Sequence, residues 1–110
     1  MKDQLPPDCP VSAALQMLTG KWRLLILFRL LEGPQRFNAL QRALAPVTQK
    51  VLTAALRSLE EDGLIWRKSA MTVPPEVSYG LTPRGGALAP VFRALGDWQV
   101  REAVASLSRL

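Results

Sequence analysis

Between Pro46 and Gly63 lies a stretch, Thr48 to Asp62, whose two ends are marked and whose two sides differ chemically. At about 100° per residue, Val51, Leu52, Ala55, Leu56 and Leu59 fall within an arc of roughly 140° and Gln49, Lys50, Thr53 and Arg57 lie opposite them. Thr48 is a good N-cap, Pro46 cannot continue a preceding helix, and Gly63 suits the left-handed stop. One face of this helix needs a core, and the other is free for a partner.

The free face carries cations, and so does the chain leading to it. From Lys21 to Arg57 there are seven basic residues (Lys21, Arg23, Arg29, Arg36, Arg42, Lys50, Arg57) and one acid, Glu32, within a chain of net charge +5. That distribution favours a polyanion as partner. Histidine is absent and cysteine occurs once, which removes the usual zinc sites, Ser-His-Asp and Cys-His catalysis and an intramolecular disulfide. No metal, no cofactor and no enzymatic activity are expected. With 110 residues, 48% of them hydrophobic, the chain supports one domain and one core. Residues 1–8, Met1 to Asp8, lack the apolar core of a signal peptide and read as a flexible lead-in. The longest apolar run, Leu24 to Phe28, is too short to span a bilayer. A cytoplasmic protein without membrane attachment is expected, its single domain occupying residues 9–110.

In order along that domain, Cys9-Pro10 opens a helix bearing Val11, Ala14, Leu15 and Leu18, which Gly20 ends. A second helix, Lys21 to Glu32, is apolar on nearly all sides except at Arg23 and Arg29 and is expected in the middle of the core. Gly33-Pro34 breaks the chain, and Gln35-Arg36-Phe37 is extended. A brief helix, Asn38 to Leu44 with Asn38 as cap, then buries Phe37, Leu40 and Leu44 along one edge. Only Ala45-Pro46-Val47 separates it from the amphipathic helix, so the pair fits a helix-turn-helix. After Gly63 the period changes: Leu64 to Lys68 and Val77 to Leu81 are β-like, around a turn-rich tip with Pro74-Pro75. A helix-turn-helix followed by a hairpin is the plan of a winged helix, mainly α with a two-stranded wing at about 65–81. Thr82-Pro83 caps a last helical region, Arg84 to Leu107, interrupted by Gly85-Gly86 and kinked near Pro90. Its apolar residues exceed what one small domain edge needs. The surplus is read as a dimer surface centred on Val91, Leu95 and Trp98, joined by the N-terminal helix, although Phe92 and Trp98 could also simply close the core.

The ordered motifs Cys9-Pro10-Val11, Gly20-Lys21-Trp22, Gly33-Pro34-Gln35-Arg36-Phe37, Val47-Thr48-Gln49-Lys50-Val51-Leu52-Thr53, Leu59-Glu60-Glu61-Asp62-Gly63-Leu64, Pro74-Pro75-Glu76-Val77-Ser78-Tyr79 and Leu81-Thr82-Pro83-Arg84-Gly85 resemble the HxlR-type winged-helix transcriptional regulators of bacteria over about residues 9–100. The resemblance implies a homodimeric regulator of transcription that binds double-stranded DNA, with the helix at 48–62 as recognition helix. The chain departs from the family pattern at Ala39, Glu76, Ser78 and Gly80, and Glu76 puts an acid where the wing is usually basic.

For major-groove reading, Gln49 suits adenine and Lys50 guanine, while Thr48 and Thr53 suit a phosphate or a thymine methyl. Arg57, further along, is expected at phosphate or the groove edge, and Arg36, Arg42 and Lys68 are candidate backbone clamps. Cys9 admits two readings. It is a small buried residue that seals the first helix, or it is a reactive thiol at the positive end of that helix, as the resemblance implies for some members that sense oxidants or electrophiles. Two other functions compete: a winged helix that docks a protein, and a regulator with an effector pocket between the Trp22 and Trp98 regions.

Overall fold

The computed structural model describes residues 9–108, so the expected lead-in at 1–8 lies outside the described residues. Six helices and three strands follow in the order α1 (Pro10–Met17), α2 (Lys21–Leu30), β1 (Gln35–Arg36), α3 (Phe37–Ala43), α4 (Gln49–Glu61), β2 (Ile65–Ala70), β3 (Glu76–Leu81), α5 (Pro83–Gly86) and α6 (Ala89–Ser108). This is a winged helix.

The core is one cluster in which α2 supplies Ile26, Leu27 and Leu30, α3 supplies Leu40, and α4 supplies Leu52, Leu56 and Leu59. Leu44 and Val47 from the turn, and Leu64, Ile65 and Tyr79 from the hairpin, complete it. The nearly all-apolar α2 was expected wholly inside, yet Leu25 and Phe28 are exposed; a small domain has only one core to offer, on one side of that helix. On the outer side, Phe28 meets Phe92 of α6 in a tilted ring pair with centroids 5.7 Å apart. Val51 also departs from expectation, being 41% exposed. The buried arc of α4 is centred nearer Leu52 and Leu56, which leaves Val51 at its rim.

The sheet is antiparallel in the order β1-β3-β2, three strands where the hairpin alone predicts two. The third is the extended Gln35-Arg36, which pairs with Tyr79 and Ser78. That pairing also moves the start of α3: Arg36, held extended by its strand partner, occupies the N-cap position, and the helix begins at Phe37. Asn38 therefore lies inside the first turn and does not cap it. The hairpin register runs from Ile65↔Leu81 to Ala70↔Glu76.

The C-terminal region likewise differs from the expected kink at Pro90. Thr82 accepts from the Gly85 N–H and Pro83 sits in the first turn of α5. The helix then stops, and α6 starts anew at Ala89 with Pro90 in its first turn, where a missing N–H costs nothing. Within α6, Val91, Leu95 and Trp98 are exposed, and Val100, Val104 and Leu107 are exposed further along. From α1, Val11 and Leu15 are also open to solvent.

Candidate nucleic-acid interface

The two ends of α4 are held in opposite ways. At the N-terminus, Thr48 is extended and its Oγ1 accepts from the Val51 N–H at 3.1 Å. The first turn carries no acid, so the positive end of the helix dipole, Lys50 and the remaining free N–H groups together form an anion-attracting end. At the C-terminus the chain closes in a Schellman arrangement. Gly63, at φ 76°, donates to the Glu60 carbonyl, and the Leu64 N–H returns to the Leu59 carbonyl at 3.1 Å.

Side chains then pin that C-terminal end. Arg23 of α2, its side chain only 13% exposed, pairs with the Asp62 carboxylate at 2.8 Å. The same guanidinium donates to Ser58 Oγ and to the Met17 carbonyl at the end of α1. Arg84 of α5 donates to the Asp62 carbonyl at 2.9 Å, and Thr82 donates to the Gly63 carbonyl at 2.6 Å. An acid at the negative end of a helix dipole is unfavourable alone; two arginines offset it here. Asp62 is thereby committed to internal structure, whereas Glu60, two residues earlier, lines a hollow with Thr53 and Arg57.

The predicted contact residues come together at the other end. Arg36, Arg42, Gln49 and Thr53 line one concavity, whose far wall is Pro74, Pro75, Glu76, Val77 and Tyr79 of the hairpin. Gln49, Lys50, Thr53 and Arg57 share the adjoining open face of α4. Arg42 further borders the turn, beside Ala45, Pro46 and Val47. Arg36 pairs with Glu76 at 3.1 Å, which neutralises the acid that departs from the family pattern while two-thirds of the Arg36 side chain stays exposed.

Lys68 does not join this group, and Arg67, which residue-by-residue reasoning passed over as a contact, does. Arg67 pairs across the ladder with Tyr79 and shares its face with buried Ile65, so it lines a hollow with Thr53, Arg57 and Glu60. Lys68 pairs with Ser78 on the opposite face, with Trp66. The period-two alternation counted from Ile65 was the available signal. Cys9 is half-buried at the N-cap position of α1, and its side chain does not cap the helix. Lys21, at the start of α2, has its ammonium 5.0 Å from the Trp22 ring centroid.

Comparison with known proteins agrees with this geometry. Residues 17–106 match the model of the HxlR-like helix-turn-helix family. The chain is 42% identical over 90 residues to the uncharacterized HTH-type transcriptional regulator YdeP of Bacillus subtilis (strain 168), covering 82% of this chain and 70% of that protein. It is 41% identical over 91 residues to YtfH of Escherichia coli (strain K12), named in the same way, covering 83% and 72%. Among solved structures, the redox regulator HypR in its reduced form superposes with a TM-score of 0.80 at 35% identity, covering 89% of this chain and 99% of that one. The reduced form of the transcriptional regulator YodB from B. subtilis gives 0.72 at 33% identity, covering 82% and 89%. A recognition helix pinned at its acidic end and free at its basic end, beside a hairpin wing and matched across most of the chain, makes this protein a DNA-binding transcriptional regulator of the HxlR-like helix-turn-helix family.

Proposed function

We propose that the protein is a cytoplasmic regulator that binds a pseudo-palindromic operator as a homodimer, one α4 entering the major groove at each half-site. The observation that carries this reading is the opposition within α4: at its C-terminal end the Asp62 carboxylate is held by Arg23 and the Asp62 carbonyl by Arg84, while Gln49, Lys50, Thr53 and Arg57 stand along one open face. Gln49 and Lys50 read base edges, Thr48 and Thr53 take a phosphate or a thymine methyl, and Arg36, Arg42, Arg57 and Arg67 fix register on phosphate. Lys68, on the far face of the hairpin, is the weakest of the proposed contacts. The dimer is closed by Val91, Leu95 and Trp98 together with Val11 and Leu15 of α1, apolar side chains that one chain leaves in water.

Titrating the protein against operator DNA at several salt concentrations tests the reading. If a dimer neutralises about six phosphates, log affinity falls against log salt with a slope of roughly −5. A flat titration would refute it.

The likeness to HypR, named as a redox regulator, supports a second reading in which Cys9 carries the signal. Oxidation then joins two protomers through their Cys9 thiols or caps each with a small thiol. Operator affinity of wild type and Cys9→Ser, compared before and after mild oxidation, distinguishes a sensor from a helix seal: identical responses leave Cys9 structural.

A further inference from the structure

From Ser69 to Pro75 the hairpin carries no charge. The strand ladder closes at Ala70↔Glu76, and beyond it Met71 and Val73 stand fully exposed, at 103% and 101%. The turn that presents them is braced, since Thr72 Oγ1 donates to the Pro74 carbonyl at 2.7 Å and two consecutive prolines restrict the backbone behind them. Met71 and Val73, with Pro74 and Pro75 after them, thus make the tip an uncharged apolar surface open to a partner.

What covers this one follows from its position. Pro74, Pro75 and Glu76 share a concavity with Gln49, Thr53 and Arg42, so the tip continues the DNA-facing surface. Glu76 is paired with Arg36, which removes the local repulsion from phosphate. The hairpin cations Arg67 and Lys68 sit lower on the ladder. Four residues of strand from Arg67 to Met71 span about 13 Å, more than the depth of a minor groove at about 7.5 Å.

We propose that Met71 and Val73 form an apolar wedge that enters the minor groove beside the major-groove site of α4. The proposal rests on the DNA-binding reading above and adds a mode of contact that uses no charge. Apolar side chains, methionine among them, enter minor grooves and unstack base steps, so the tip selects duplexes that are easily deformed at the flank of each half-site.

The probe is a duplex selected by the wild-type protein from a random-sequence pool. Met71→Ser/Val73→Ser is expected to bind it roughly tenfold more weakly at every salt concentration, with an unchanged salt slope and a smaller DNA bend. Val73→Lys is expected to steepen the slope by about one per protomer. Thermal melting of each variant is expected to match wild type, because the Met71 and Val73 side chains are fully exposed. Equal affinity of wild type and the serine pair for the selected duplex overturns the wedge, which includes the case of a tip that docks another protein. A loss accompanied by a shallower slope also overturns it. Failure of the wild type to bind any duplex is a distinct result, and it removes the DNA reading together with the wedge.

Discussion

At the scale of single residues, Gly85 is the position with least freedom. A Cβ placed there would lie 2.1 Å from the Leu64 carbonyl oxygen, a backbone atom that cannot swing aside. Gly85→Ala is therefore expected to cost about 2–4 kcal/mol by forcing α5 off the hairpin, read as a lowered melting temperature. Thr48→Ala removes the side-chain oxygen that satisfies the Val51 N–H, at a cost of about 1 kcal/mol. Operator affinity measured well below the melting temperature then shows whether the threonine also touches DNA. The contact residues themselves separate by what they lose. Gln49→Ala is expected to lose about 1–3 kcal/mol on operator and to relax preference at one base pair. Equal losses on operator and on random DNA would remove its base-reading role.

At the scale of elements, α4 is where local signals and the folded structure coincide. Thr48, Gly63 and the apolar arc act within the helix or one turn beyond it, so their consequences are legible without knowing the rest of the chain. Features made by distant segments are not. Asn38 has the chemistry of a cap, but pairing of Arg36 with Ser78, far along the chain, fixes the start of α3 one residue earlier. Arg23 reads as a lone cation in an apolar helix, and nothing near it announces Asp62, Ser58 and Met17 as its partners. The same distance hid the Arg36–Glu76 pair. Arg67 was within reach, since counting alternate residues from Ile65 places it on the side of α4. Arg23→Ala leaves Asp62 at the negative end of the helix dipole with one fewer partner and is expected to destabilise the fold by about 2–3 kcal/mol. Denaturant unfolding measures it, and Arg23→Ala/Asp62→Ala, which removes both members of the pair, is expected to recover part of the loss.

At the scale of the whole molecule, the exposed apolar residues of α1 and α6 are the surface through which the proposed dimer is tested. Trp98→Glu with Leu95→Glu is expected to yield a folded monomer by sedimentation, with unchanged helical signal and operator affinity reduced to that of a single half-site. A variant that stays dimeric would place the interface elsewhere. The α4 helix has 13 residues, about 20 Å at 1.5 Å each; Leu52, Leu56 and Leu59 seat its length in the core, and the arginine contacts, from Arg23 and Arg84, both lie at its Asp62 end. A tilt of about 10° about that end would carry Gln49 by roughly 3.4 Å, the rise of one base pair, so the leucines that build the core also act as the stop that keeps Gln49 in register.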